Sequence, residues 1–416
     1  MSEKKLAAKP RTVALACLVA AFIMQGCQWA AAPATDANQK ELEIEIDMQE
    51  EAPAEPVQLV IACVGDVMVH KSQIASQYDS AMDAYDYNNN FAYVKKHIES
   101  ADLAICNLET TFGGKPYTGY PVFSAPDELA SALRSAGFDV AVTANNHMLD
   151  RGVAGLKRTI EVLRANGLPA AGSREEPEQA NYVIADVKGV KVGVVAYTYA
   201  SSSQSGDLLV NGSAVSRDAA ALINFFRYSQ IDEDLEKIKR TVADAREAGA
   251  DVVAVYYHWG EEFHLQPSAV QRYIAEKTVN DMDVDMIFAS HPHTLQEAGY
   301  VRNDRTGALV PVFYSIGNFI SNQRVETLDV MNSKYTEIGV IAKVAIEYDV
   351  GGNRITRMET EAVPTWVEKY KSGGRDVYAV IPLDEDLAAN ECLAASGHLG
   401  RAQKAREDAY GILGIN

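Results

Sequence analysis

The chain has 416 residues, 47% of them hydrophobic and 23% charged, a balance that excludes wholesale disorder and a membrane protein of many spans. Its 38 Lys and Arg against 57 Asp and Glu leave a formal charge of -19, which excludes nucleic-acid binding through a broadly basic surface. Five cysteines without a Cys-x-x-Cys pair exclude a disulfide scaffold and a zinc ribbon, so any metal must be held by His, Asp, Glu and Asn.

Lys4, Lys5, Lys9 and Arg11 precede or flank the start of an apolar run from Thr12 to Met24, the arrangement of an export signal. The run ends at Met24-Gln25-Gly26-Cys27, which resembles a bacterial lipobox. Residues 1–26 are therefore expected to be a lipoprotein-type signal, with lipidation at Cys27. Cleavage near Ala30 to Ala34, or an uncleaved anchor from Thr12 to about Ala32, remains open. All three readings place the bulk of the chain outside the cytoplasm. From Asp36 to Glu55 eight acids face the single Lys40, and Pro53 and Pro56 close the stretch. Residues 27–56 read as a disordered, self-repelling tether.

Beyond Pro56, strand-like runs alternate with helical patterns, the signature of an α/β layered domain. Strands are predicted at Val57 to Val64, Leu103 to Cys106, Val140 to Thr143, Val192 to Tyr197, Val252 to Tyr257, Val284 to Ala289 and Val310 to Tyr314. Helices are predicted at Glu128 to Ala136, Leu156 to Asn166, Asp232 to Ala248 and Ser268 to Asn280. Cys63 and Cys106 fall in apolar runs and are expected to be buried free thiols. A stretch from Ser201 to about Gln230 reads as an irregular insertion over the sheet. After a main domain of residues 57–325, two longer strands, Ile338 to Tyr348 and Ile355 to Val363, and a polar helical tail form a C-terminal extension of residues 326–416.

Nearly every strand run ends in a short polar motif, at the edge where open α/β sheets bind ligands. In order they are Gly65-Asp66, Asn107-Leu108-Glu109, Asn145-Asn146-His147, His258-Trp259-Gly260, His291-Pro292-His293 and Ser315-Ile316-Gly317-Asn318-Phe319. Taken singly, Gly65-Asp66 also reads as an Asx turn, Glu109 as a loop cap and His258 as a core histidine. His291-Pro292-His293 is the most specific element, because two imidazoles two residues apart on an extended segment point the same way. Converging on one cleft, these groups form a donor set for a divalent ion, with imidazole and carboxylate favouring zinc, manganese or iron over calcium.

With these motifs in order, the sequence from about Leu59 to Asn322 resembles the CapA family of poly-gamma-glutamate capsule proteins, within the calcineurin-like metallophosphoesterase superfamily. The resemblance rests on Gly65-Asp66-Val67-Met68, Asn107-Leu108-Glu109, Ala144-Asn145-Asn146-His147 with Asp150 and Gly152, His258-Trp259-Gly260-Glu261-Glu262, His291-Pro292-His293 and Ser315 to Phe319. It implies a four-layer α-β-β-α sandwich and one or two divalent ions at the strand ends. It places Asp66 and His293 on one ion, Asn146, His258 and His291 on a second, and Glu109 between them. His147 would protonate the leaving oxygen, oriented by Asp150. Two departures stand out: Met68 replaces the second histidine of the superfamily's Asp-x-His, with His70 four residues from Asp66 as a poor substitute, and Glu109 replaces a shorter Asp. Trp259, Glu261 and Glu262 would sit over the site, as substrate contacts or as a packing anchor and solvated charges. Asn318 would reach the ligand, and His264 with Arg272 would offer an anion subsite. The expected function is capsule or poly-gamma-glutamate synthesis or processing by a metal-dependent hydrolase-type site. The alternative is a non-catalytic, metal-assisted component that binds or exports polymer. The expected partners are a cell-surface anionic polymer or its precursors, membrane capsule synthase components, and the membrane itself through the N-terminal lipid or anchor.

Overall fold

The computed structural model describes residues 55–384 and 386–414. The expected signal, Cys27 and the tether as far as residue 54 lie outside the described residues.

Period-two patterning builds the first sheet from the Val57–Val67 strand outward. Leu59, Ile61 and Cys63 face a core between two sheets, while Ala62 and Val64 face a layer of helices. On one side this strand pairs in parallel with Leu103–Leu108, followed by Val140–Val142 and Ala170–Ala171. On its other side it pairs antiparallel with Ile338–Asp349, then Arg354–Ser372, then Arg375–Pro382. The second sheet centres on parallel Val190–Ser202, Val252–His258, Met286–Ser290 and Leu309–Phe313. Val192, Val194, Ala254 and Tyr256 meet the first sheet across the shared core, and Val195, Val253, Val255 and Tyr257 turn outward.

Each outer face is closed by amphipathic helices. Glu128–Ala136 buries Leu129, Ala130, Leu133 and Ala136 against the first sheet, and stops at Gly137, whose φ of 107° suits a glycine C-cap. Ile231–Glu247 and Ala269–Asp281 cover the second sheet through Leu235, Ile238, Val242, Ile274 and Val279. The latter starts where Ser268 accepts the Gln271 N–H and Gln271 answers in a capping box, as the Pro267-Ser268 start signal implies. The result is a four-layer α-β-β-α sandwich, as expected.

Two sequence expectations change. Residues 326–414 are not an appendage: the strands Ile338–Asp349, Arg354–Ser372 and Arg375–Pro382 form one half of the first sheet. The third of these strands falls within the stretch read as a helical tail. Helices Glu391–Ser396 and Leu399–Leu413 then pack Leu393, Ala402, Ala405 and Ala409 into the inter-sheet core. The insertion after Ser201 is also more ordered than expected, with short strands Leu208–Val210, Ser213–Ala214 and Phe225–Arg227 and a helical turn at Arg217–Ala220. Cys63, Cys106 and Cys392 are buried and free, with Cys106 pushed up to about 12 chiefly by burial. No helix among the described residues is long and apolar enough to cross a membrane.

Candidate metal centre

The centre forms where strands of both sheets end. Gly65 interrupts the pairing of Val57–Val67 with Leu103–Leu108, so that the register slips between Val64 and Asp66. A Cβ at Gly65 would lie 1.8 Å from the Gly317 carbonyl oxygen, so only glycine lets the chain pass here and turn Asp66 into the centre. His258 is the last residue of its strand, level with Ser290 on the next.

His291 and His293 follow Ser290, but not on an extended segment. Both take left-handed backbone, with φ of 106° and 58°, and the chain folds sharply about Pro292. Non-glycine residues hold such angles only under surrounding constraint, and here they bring two imidazoles with ring centroids 5.9 Å apart into one buried space.

Six polar side chains converge there: Asp66, Glu109, Asn146, His258, His291 and His293, none more than 3% exposed. The Nδ1 of His293 lies 3.0 Å from Asp66 Oδ2, and its Nε2 lies 3.9 Å from Glu109 Oε1. The Nε2 of His258 lies 2.8 Å from Asn146 Oδ1 and 3.6 Å from Glu109 Oε1. Two sets, Glu109 with His291 and His293, and Asp66 with Glu109 and His258, each bring their donor atoms within 4.8 Å of one another. Glu109 belongs to both sets, which suits a shared ligand.

The protein leaves this set incomplete without a cation. Both carboxylate oxygens of Glu109 and the Nδ1 of His291 are buried with no hydrogen-bond partner. Such atoms are rare and costly unless something compensates them. Burial, with the charge of Asp66 beside it, pushes Glu109 well above the usual carboxyl range. Burial also drives His291 well below its ordinary value and pushes His258 down to about 3, so both imidazoles are neutral at neutral pH. Burial pushes Asp66 upward, but the hydrogen bond and charge of His293 outweigh it and hold Asp66 well below the usual range. His293 is raised, since its bond to Asp66 outweighs its own burial. Two neutral imidazoles beside a buried carboxyl group whose oxygens are unbonded are the chemistry that a divalent ion requires.

Around the donors, supporting groups fix orientation. Asp66 Oδ1 accepts from Asn107 Nδ2 at 2.8 Å and from the Ser290 hydroxyl, which in turn accepts from the Tyr256 hydroxyl at 2.6 Å. Asn145 Nδ2 donates to Leu108 O at 2.8 Å, tying the Asn146 loop to the end of the strand that leads into Glu109. The ring of Tyr199 packs on His291 with centroids 4.7 Å apart. Sequence reasoning assigned no role to Asn107, Ser290, Tyr256 or Tyr199. Asn107 stands in a strand-end motif and Ser290 directly before one, whereas the tyrosines come from strand interiors and become visible only in the folded sheet.

His147 and Asp150 form a pair at the rim, with Nδ1 2.8 Å from Asp150 Oδ2. Asp150 Oδ2 also accepts the Phe123 N–H at 2.6 Å, and the Phe123 ring meets the His147 ring edge-on at 4.7 Å. The imidazole is therefore held by one nitrogen and one face. Asn211, from the inserted segment, comes within 3.5 Å of the same Nδ1.

The other sequence candidates separate. Trp259 does not line the cleft: it is fully buried, stacked on Tyr257 at 4.7 Å, with its Nε1–H donated to Tyr314 O. Its strand has ended, yet the indole turns back into the helix-side core. Glu261 is exposed and pairs with His264 at 3.5 Å, while Glu262 lines the cleft beside the centre. Asn318 is buried, with Oδ1 3.1 Å from His293 Nδ1, so it supports a donor rather than facing the cleft. Arg272 is engaged by Glu297 at 2.6 Å and forms no anion subsite with His264. His70 sits at the start of the Lys71–Gln77 helix, where its Nδ1 accepts the Asn322 N–H.

The family described as "Bacterial capsule synthesis protein PGA_cap" matches residues 60–323, more than half of the chain. The chain belongs to this family. Within it, the chain is 30% identical over 274 residues to "Capsule biosynthesis protein CapA" of Bacillus anthracis, covering 64% of this chain and 60% of that protein. It is 25% identical over 271 residues to "PGA biosynthesis protein CapA" of Bacillus subtilis (strain 168), covering 62% of each. The chain thus matches less than two thirds of the length of these relatives. Among solved structures, it is similar to calcineurin-like phosphoesterase YfkN of Bacillus subtilis, at 16% identity and a TM-score of 0.38, over 85% of this chain and 99% of that one. The family match ends at 323, before the three antiparallel strands that complete the first sheet.

Proposed function

We propose that this protein is an extracytoplasmic component of capsule or poly-gamma-glutamate synthesis or processing, held at the membrane through Cys27, whose strand-end centre is a divalent-metal-dependent hydrolase site. Its substrate would be the envelope polymer or a precursor of it, near membrane capsule synthase components. Family membership supports the pathway. The observation that carries the chemistry is Glu109: a fully buried carboxylate with two unbonded oxygens, within 3.9 Å of two imidazole nitrogens.

When bound, a divalent ion supplies Lewis acidity and lowers the pKa of a coordinated water. Asp66, Glu109, Asn146, His258, His291 and His293 would hold it. Asp150 fixes one nitrogen of His147, leaving Nε2 to pass a proton to the leaving group. Phe123 keeps that imidazole from turning.

One observation favours a second reading, a non-catalytic polymer-binding or export component that uses the ion as a bridge to carboxylates. Met68, buried where the superfamily's Asp-x-His carries a ligand, removes one donor from the first ion. Metal analysis of the full chain, with assays on bis(p-nitrophenyl) phosphate and poly-gamma-glutamate, separates the two. Turnover that needs a divalent ion and disappears in His291→Ala supports the hydrolase. Bound metal with neither substrate cleaved supports the second reading.

A further inference from the structure

Apart from the metal centre, a pocket of about 370 Å³ carries a surplus of positive charge. It lies between the Ile231–Glu247 helix, the Val190–Ser202 strand and residues 220–225 of the inserted segment, and it shares no lining residue with the cleft that holds His147 and His293. Its charged lining groups are Arg174, Lys237, Arg240 and Asp244. Lys237 is held by Asp234 at 2.6 Å, so Arg174 and Arg240 are left against Asp244. In a chain of formal charge -19, such an excess of cations in one pocket needs a reason.

Arg174 supplies it. Its Nη1 donates to Asn224 Oδ1 at 2.8 Å, its Nε is buried with no hydrogen-bond partner, and among the described residues no carboxylate pairs with it. The half-buried Arg227 and Arg246, by contrast, meet carboxylates at 2.8 and 2.6 Å. Withdrawing a guanidinium from water without an acidic partner is costly, and burial pushes Arg174 below its ordinary value with no carboxylate to counter it. Arg240 is exposed on the facing helix, and its side chain makes no ion pair or hydrogen bond among the described residues. Both cations act on Tyr197: burial raises this hydroxyl, while its bond to Thr241 and the charges of Arg174 and Arg240 oppose the rise. The neutral groups satisfy one another, with Thr241 Oγ1 2.8 Å from both Tyr197 Oη and Asn181 Nδ2, and Asn224 Nδ2 donating to the Asn181 carbonyl at 2.7 Å. What stays open is a pair of guanidiniums against one carboxylate.

We infer that this pocket is a second binding site, for an oxyanion: a carboxylate or phosphate group held between the guanidiniums of Arg174 and Arg240. A guanidinium binds either group through charge-assisted hydrogen bonds, and the anion provides the partner that the fold withholds from Arg174. Two guanidiniums less Asp244 leave one positive charge, which suits a single such group. The site calls for no turnover, so it goes beyond the hydrolase reading and does not depend on it.

Isothermal titration calorimetry on the full chain in Tris chloride tests this, with inorganic phosphate and with glutarate at fixed ionic strength. The wild type should bind at least one of the two saturably, and the affinity should fall at least about tenfold in Arg174→Gln and in Arg240→Gln, as the loss of a charge-assisted bond implies. The same binding should persist in His291→Ala, which alters the metal centre. Phosphate alone would assign the site a phosphoryl-bearing ligand, glutarate alone a carboxylate-bearing one, and both together the chemistry they share. Arg240→Gln separates binding from folding, because that side chain holds nothing in the fold. Unchanged affinity in Arg240→Gln would overturn the site. Loss of all binding in His291→Ala would overturn it too, by placing the anion at the metal centre, and so would heats of dilution alone with both anions.

Discussion

Glu109→Gln isolates the need for a cation. In chelator at pH 8, the wild-type protein must either keep a buried, unbonded carboxylate charged or hold a proton on it. The second route caps the penalty, since holding that proton from the ordinary carboxyl value of 4.5 up to pH 8 costs at most about 5 kcal/mol. A buried glutamine amide without partners costs about 1–3 kcal/mol. The variant is therefore expected to be more stable than the wild type in chelator at pH 8, by at most about 2–4 kcal/mol. The sign follows from the raised carboxyl: the wild-type penalty is absent below the ordinary value and grows as pH rises from there toward the raised one. The difference should therefore vanish, and can reverse, near pH 4. Adding Mn²⁺ at a hundredfold Kd should stabilise the wild type by about 2.7 kcal/mol and leave the variant unmoved. Differential scanning calorimetry from pH 4 to 8, with EDTA and then with metal, reads both effects. A variant that is less stable in EDTA at every pH, and gains as much from metal as the wild type, would refute the reasoning.

Three further outcomes are expected. His147→Ala should lower kcat by about 10²- to 10⁴-fold with metal content unchanged, measured by steady-state assay and elemental analysis; equal turnover would remove His147 from the chemistry. Glu337→Ala should cost about 3–5 kcal/mol in urea unfolding, because it takes the buried carboxylate from the buried Arg324 guanidinium, removes one of the two acidic partners of Arg401 and leaves the Trp366 Nε1–H without its acceptor. A loss below about 1 kcal/mol would show that the pair is not the clamp it looks to be. For Asp234, burial pushes the carboxyl up, but the bonds from Arg227 and Lys237 outweigh it and hold it below the ordinary 3.8. Its stabilisation is thus present above that value and lost as pH falls through the lowered one. Asp234→Asn should lower the melting temperature at pH 7 and have a much smaller effect near pH 2.

Much of the centre was legible because its donors sit where strands stop. Polar residues gathered at the close of an apolar run have few uses, and Asp66, Glu109, Asn146, His258 and His291 all lie within three residues of such a close. Apolar runs located seven strands between Val57 and Tyr314, but not Val183–Val187 or Ala298–Arg302, whose residues are largely exposed or half-buried. What sequence missed depends on contacts between distant segments. The third antiparallel strand, Arg375–Pro382, pairs only with a strand already at the sheet's margin, and its Tyr378, Ala379, Val380 and Ile381 are buried on both faces, which removes the alternation that marks a half-exposed strand. Trp259 stayed open between substrate contact and packing anchor because its position after His258 says nothing of rotamer, and the aromatic stack with Tyr257 and Tyr314 decides where the indole goes. Glu261 and Glu262 are equivalent in sequence, yet one faces solvent and the other the cleft, set by the left-handed turn at Gly260 and Phe263. The geometry of His291 and His293 likewise depends on two positive φ angles that no spacing rule anticipates.

The most direct test of the central claim is a crystal of the protein grown with Mn²⁺ or Zn²⁺, with anomalous differences recorded at the metal's absorption edge. The account predicts a peak within bonding distance of Glu109 and of His258, His291 or His293, with Asp66 in the same coordination shell and a second peak, if present, sharing Glu109. A map with no peak there, and with both Glu109 oxygens hydrogen-bonded to protein or water, would contradict it.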